Sequence, residues 1–227
     1  GKILTVALAS ALDQDNVTLT ADDMVINTTI TTTGIVTLVP VTLTTLGPPV
    51  TLGRPINLGT VTLGSLSLTA DELNQIVNAV ELRIGSTTGG NITISDSAVA
   101  PGTNTSALTL LSHSTTGSIT LNVNLLPPSG PVTFNAGFID LNGSITTVSS
   151  LTFTASTALN SFTANGNISG QGVTFNSNLT LDGNNIDQII DSGTRTLSFV
   201  GVTTPVPIPV TITKSNTDNG DLTFNGS

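Results

Sequence analysis

Thr116-Gly117-Ser118-Ile119-Thr120-Leu121, Pro127-Pro128, Val132-Thr133-Phe134, Ile139-Asp140-Leu141-Asn142-Gly143 and Leu151-Thr152-Phe153-Thr154-Ala155 follow one another through the middle of the chain. Within the blocks apolar and small polar residues alternate, and a period of two places one set of side chains on one face of a strand. Gly, Asn, Ser or Pro closes each block before it reaches the length of a helix. A similar series stands earlier, in the same order: Thr33-Gly34-Ile35-Val36-Thr37-Leu38, Pro48-Pro49, Val50-Thr51-Leu52, Ile56-Asn57-Leu58-Gly59 and Leu66-Ser67-Leu68-Thr69-Ala70. A third correspondence, at a longer offset, joins Leu66-Ser67-Leu68 and Leu73-Asn74-Gln75-Ile76-Val77 to Leu179-Thr180-Leu181 and Ile186-Asp187-Gln188-Ile189-Ile190.

Two different offsets exclude a strict tandem duplication. Both are near whole multiples, four and five, of a coil of roughly 21 to 23 residues, within the period range of solenoids. The expectation is one β-solenoid segment over residues 1–227, about ten stacked coils, which at roughly 4.8 Å per strand gives a rod about 50 Å long. A β-sandwich remains the alternative.

Composition agrees with an all-β chain. Charged residues are 8% and aromatics 3% of the 227 residues, and Cys, Trp and Tyr are absent. Mean hydropathy is +0.33, so low charge does not imply disorder, which also needs low hydrophobicity. Val, Ile and Thr, with Thr roughly a fifth of the chain, suit a pleated, half-buried surface.

The five bases Lys2, Arg54, Arg83, Arg195 and Lys214 are scattered in a chain of net charge −9. Nucleic-acid binding needs a basic patch, so no nucleic-acid partner is expected. No apolar run reaches the length of a spanning helix, roughly 18 residues or more, so no membrane insertion is expected. The opening Gly1-Lys2-Ile3-Leu4 lacks an initiator Met and a long apolar leader, which reads as a processed product or an internal excerpt. Strand patterns close to both ends lead to the expectation of a longer rod, or of copies stacked end to end.

Two segments depart from strand. In Thr69-Ala70-Asp71-Glu72-Leu73-Asn74-Gln75-Ile76-Val77, the apolar residues Leu73, Ile76 and Val77 fall at helical spacing behind a potential N-cap, Thr69. Asn184 to Asp191 is its counterpart. One or two helical turns between coils are expected at each.

From Asn16 to about Pro101 the chain resembles repeats of the large two-partner-secreted adhesins of the filamentous haemagglutinin type. The resemblance is carried by Val17-Thr18-Leu19-Thr20-Ala21-Asp22-Asp23-Met24, Gly53-Arg54-Pro55-Ile56-Asn57-Leu58-Gly59, Leu68-Thr69-Ala70-Asp71-Glu72-Leu73-Asn74-Gln75-Ile76, and Arg83-Ile84-Gly85-Ser86 with Gly90-Asn91-Ile92-Thr93-Ile94. It implies a right-handed parallel β-helix, export to the bacterial cell surface, and a role in attachment, biofilm or contact between cells. Host or cell-surface glycans and proteins are the partners it implies. Beyond Pro101 the match is one of style, and the family's secretion domain is not recognisable.

Chemistry is sparse. A nucleophile–His arrangement has only His113 to draw on, in Leu110-Leu111-Ser112-His113-Ser114-Thr115, and a loop imidazole is the simpler reading. Polysaccharide-cleaving β-helices use paired acids. The tightest groups are Asp13 with Asp15, Asp22 with Asp23, Asp71 with Glu72, and Asp218 with Asp221, all explicable as turn or helix-start residues. Asp13-Gln14-Asp15-Asn16 and Asn216-Thr217-Asp218-Asn219-Gly220-Asp221 offer oxygen ligands for calcium but match no established loop pattern.

The chain therefore reads as no enzyme, with no catalytic residue, cofactor or metal site assigned. A polysaccharide-binding or polysaccharide-cleaving β-helix is the alternative. Thr-x-Thr pairs such as Thr18/Thr20, Thr31/Thr33, Thr152/Thr154 and Thr211/Thr213 raise an ice-binding solenoid. They do not recur at a fixed coil spacing in the sequence, which disfavours it. Asn16, Asn27, Asn91, Asn104, Asn142, Asn167, Asn178 and Asn225 open N-x-S/T triplets, where glycosylation is an option.

Overall fold

A computed structural model describes residues 3–6, 10–12, 16–41, 53–96, 104–125, 129–155, 161–164, 167–176, 178–181, 188–191, 197–199, 212–214 and 222–225. The alternation read from the sequence is the alternation of burial. In Ile35–Pro40 every second residue is buried, and Val132–Ala136 and Leu151–Ala155 repeat the pattern. Thr, Asn and Asp occupy most of the intervening half-buried positions.

The strands assemble into parallel sheets. The first sheet stacks Val17–Ala21, Ile35–Pro40, Glu81–Gly85, Leu108–Leu111, Val132–Ala136, Leu151–Ala155, Val173–Phe175 and Leu197–Phe199. The second stacks Leu66–Leu68, Ile56–Leu58, Ile92–Ile94, Ser118–Leu121, Phe138–Leu141, Ser161–Ala164, Asn178–Leu181 and Ile212–Lys214. A third, of four strands, joins Ile145–Thr146, Ile168–Ser169, Gln188–Asp191 and Leu222–Asn225. Ser10–Leu12, Ile30–Thr32 and Ile76–Val77 form a three-stranded sheet, and Ile3–Val6 pairs with Asp23–Ile26. From Glu81 onward the chain visits the first sheet and then the second. From Phe138 it adds the third before returning one strand further along.

Register lines the buried residues into rows. Leu82, Leu108, Val132, Leu151 and Val173 form one row of the first sheet, and Ile84, Leu110, Phe134, Phe153 and Phe175 form the next. Ile92, Ile119 and Ile139 continue the pattern in the second sheet. All are buried, and with Ile145, Ile168 and Ile190 they belong to one hydrophobic core. Burying each such side chain stabilises the fold by about 1.5–3 kcal/mol. Phe134, Phe153 and Phe175 stack in a ladder, with ring centroids 5.1 and 5.3 Å apart and planes within 22° and 14°.

Between strands, Asn side chains act as staples. The Asn16 Oδ1 accepts from the Ile35 N–H at 2.8 Å, Asn91 Oδ1 from Ser118 N–H at 3.0 Å, and Asn124 Oδ1 from Ser144 N–H at 2.9 Å. Each joins residues that are 19 to 27 apart in the chain. Such bonds supply backbone donors that loops leave without a ladder partner.

Three expectations change. Val17 pairs with Val36, Leu108 with Val132 and Val36 with Leu82, and the chain between partners more than doubles from the first of these pairs to the last. There is no fixed period, because loops of different length leave the sheets and return to the same register. Of the two series that share an order of blocks, Ile56–Leu58 and Phe138–Leu141 stand in the second sheet together. Ile35–Pro40 and Ser118–Leu121, however, stand in different sheets, as do Leu66–Leu68 and Leu151–Ala155. Similar strand patterns therefore do not mark equivalent places.

The third change concerns the short helices. The first one forms over Ala70–Asn74, capped by Thr69, and the chain then passes directly into the strand Ile76–Val77. At its counterpart, Gln188–Asp191 is a strand, with Ile190 paired to Ile168 and to Phe224. β-branched Ile189 and Ile190 gain more from this parallel pairing than from a short helical turn. Residues 182–187 lie outside the described residues.

Candidate functional site

The most irregular part of the fold surrounds Leu66–Leu68. This strand runs parallel to Ile56–Leu58, its immediate predecessor in the chain, Ile56 facing Leu66, after a loop over Gly59 to Ser65 doubles back. All three of its residues are buried. Beside it lies Asp23–Ile26, yet the two share no ladder. Side chains bridge the seam instead. The Asp23 Oδ1 accepts from Ser67 N–H at 3.2 Å and from Met24 N–H at 3.0 Å, and Glu72 Oε1 accepts from Ile26 N–H at 3.3 Å.

Glu72 owes its position to the helix start. Its Oε2 accepts from the Thr69 N–H and the Thr69 hydroxyl, both at 2.8 Å, while Thr69 Oγ1 takes the Glu72 N–H. This reciprocal capping box satisfies donors that the first turn leaves open. Thr29 Oγ1 lies 3.1 Å from Gln75 Oε1, tying the same helix to the chain that follows Asp23–Ile26.

A cleft of about 480 Å³ opens along the seam, lined by Asp23, Asn27, Ser67, Thr69, Asp71, Glu72 and Gln75 together with the apolar Met24, Val25, Ile26 and Val61. That volume falls within the range of small-molecule sites. A second cleft of about 410 Å³ adjoins it, where Arg54 Nε lies 3.5 Å from Asp22 Oδ1 among Ile3, Val61 and Leu63. Val61 and Leu63 are 77% and 103% exposed, so the loop tip presents bare apolar side chains.

Asp23 thus meets Asp71 and Glu72 in the first cleft despite their distance in sequence, while Asp22 lines the adjoining one. Three of the four carboxylates are engaged in holding the seam or in the ion pair with Arg54, and Asp71 is exposed. The arrangement can receive a small polar group; the contacts supply no nucleophile with a base. Asp13, Asp15, Asp218 and Asp221, and with them the acid positions of both calcium candidates, lie outside the described residues. Among the described residues no group of three His, Cys, Asp or Glu is placed to hold a metal ion.

His113 sits in a turn, as the sequence suggested. Its Nδ1 accepts from the Thr115 and Thr116 N–H groups, each at 3.3 Å, and its carbonyl accepts from Gly117 and Gly137. The neighbouring Ser112 hydroxyl donates to the Gly90 carbonyl at 2.8 Å instead of to the imidazole. Among the triplet asparagines, Asn16 and Asn91 are staples. The Asn142 Nδ2 donates to Asn122 Oδ1 and Asp140 Oδ2.

Sequence reasoning found the helix cap and the acids but not the seam, because nothing local marks Asp23 and Ser67 as partners across so long a stretch of chain. Glu72→Ala is expected to destabilise the seam by about 1–3 kcal/mol, through lost capping and a donor left open at Ile26. Amide hydrogen exchange at Ile26 and Thr69 should then accelerate. Unchanged exchange at both would contradict this assignment.

Comparison with protein-family models, curated proteins and solved structures gives no match.

Proposed function

We propose that this chain is a length of right-handed parallel β-helix that serves as a structural and adhesive rod segment of an extracellular bacterial surface fibre. One observation carries the reading: from Glu81 onward the chain returns to its parallel sheets in the same order, one strand further along each time. A crossover between parallel strands of one sheet is right-handed in about 98% of cases, which supports a right-handed winding. Stacking of this kind grows along one axis and suits a spacer. The motifs between Asn16 and Pro101 point to surface adhesins, and the seam and its exposed Val61–Leu63 loop interrupt an otherwise regular surface. Further coils, or other copies, stacked on the sheet edges are the partners this reading implies.

The winding can be measured without background, because the chain has no cysteine. Spin labels on cysteines replacing Thr37 and Thr174, five strands apart in the first sheet, should lie about 24 Å apart at about 4.8 Å per strand. Moving the first label to Thr18 should add one strand spacing. Distances that track sequence separation would refute the stack. The cellular role is tested by antibodies against this chain on intact producing cells. Labelling of fibres outside the cell is expected, and labelling that needs permeabilised cells would overturn the surface reading.

A further inference from the structure

Outward side chains of the first sheet form a row that the sequence conceals. Thr109, Thr133, Thr152 and Thr174 are mutual register partners on four successive strands, and the row continues in register to Ser198. On its other side stands Arg83, folded onto Glu81 through a two-armed contact of 2.9 and 3.3 Å, and beyond it Thr37 and Thr18. The steps along the chain from one threonine to the next are unequal, whereas each step in space is one strand. Threonines that look irregular in the sequence are therefore regular on the surface.

Three properties make the row unusual. First, the four threonines are half-buried and their hydroxyls have no hydrogen-bond partner among the described residues. Secondly, the strands that carry three of them are backed by the stacked Phe134, Phe153 and Phe175, a side-chain ladder that runs from strand to strand beneath the row. Stacked ladders are the usual way a sheet stays flat across many strands. Thirdly, the neighbouring outward positions Leu111, Asn135, Thr154 and Asn176 are uncharged, and Asn176 Nδ2 donates to Thr154 Oγ1 at 3.1 Å, fixing that second row.

We propose that this face binds ice. An uncharged array of in-register threonines offers nothing to an ion, a nucleic acid or an acidic polymer, which require opposite charge. Its complement is a surface that is itself neutral and periodic. Each threonine presents a methyl group beside a hydroxyl at about 4.8 Å intervals, on the scale of the repeat between equivalent oxygens in hexagonal ice. Hydroxyls held by the stacked strands can join that lattice, while the methyl groups exclude loose water. The inference rests on the register of the first sheet and is independent of the surface-fibre reading.

The test is ice recrystallisation in the presence of the full chain, read as grain size after annealing just below the melting point. The full chain should keep grains small relative to an equal mass of an unrelated protein. The double variant Thr133→Tyr/Thr152→Tyr, confirmed as folded by circular dichroism, should lose this effect. The variant Thr93→Tyr/Thr120→Tyr, on the outer face of the second sheet, should retain it. No inhibition by the unaltered chain overturns the proposal, as does loss or retention in both variants alike. Sedimentation of the same samples identifies the other occupant. A dimer that only the Thr133/Thr152 variant dissociates, without ice activity in the parent, would assign the face to a second copy and overturn ice binding.

Discussion

Replacing Phe153 by alanine is expected to lower the unfolding free energy by about 3–5 kcal/mol, the range for a large buried aromatic cut to a methyl group. Phe153 is fully buried and is the middle ring of three, so its loss removes two stacking contacts and leaves a void between Phe134 and Phe175. Phe153→Leu should recover most of the stability, because it restores volume without the ring. Phe138, 41% exposed, supplies the contrast: Phe138→Ala should change stability by no more than about 0.5 kcal/mol. Urea unfolding followed by circular dichroism measures all three. Equal losses for Phe153→Ala and Phe138→Ala would show that the ladder does not support the stack.

Gly85→Val is expected to be as damaging, for a different reason. Gly85 ends its strand at φ +89, where a side chain costs about 1–2 kcal/mol on backbone grounds alone. A Cβ there would also run into the backbone carbonyl of Leu111 on the next strand and press on the Ile92 side chain. Overpacking of that kind adds about 1–3 kcal/mol, so a total on the order of 3–5 kcal/mol is expected. Gly64 separates the two causes. Its φ of +86 is similar, but nothing lies within 4 Å of a built Cβ, so Gly64→Ala should show the backbone cost alone, about 1–2 kcal/mol. Similar losses at the two glycines would remove the steric part of the argument.

Much of this is legible in the sequence alone. Alternation in Leu151-Thr152-Phe153-Thr154-Ala155 announced both the strand and its buried face, since period two is a local property. Thr69 ahead of Leu73, Ile76 and Val77 at helical spacing announced the helix start for the same reason. What stayed hidden depends on pairing between distant residues. Nothing in Ile35–Pro40 or Ser118–Leu121 tells that one joins the first sheet and the other the second. Ile189 and Ile190 fit a helical spacing as well as a strand until Ile168 and Phe224 are found on either side. The seam at Asp23 and the threonine row were hidden because loops of unequal length separate their members, and register, which brings them together, leaves no periodic mark on the sequence.

The unequal steps between paired strands also bear on mechanics. Ladder hydrogen bonds run from strand to strand, along the direction in which the sheets stack. Tension in that direction would load one strand's bonds at a time and open them in succession, as a zipper opens. Each release would free the chain between register partners, from Leu108 to Val132, then to Leu151, then to Val173. At about 3.3–3.6 Å per extended residue, these are lengthenings of roughly 60–85 Å. The longer stretch from Val36 to Leu82 would give about twice that in one event. A chain so built yields in graded increments under load and can dissipate a pull long before its whole core is lost.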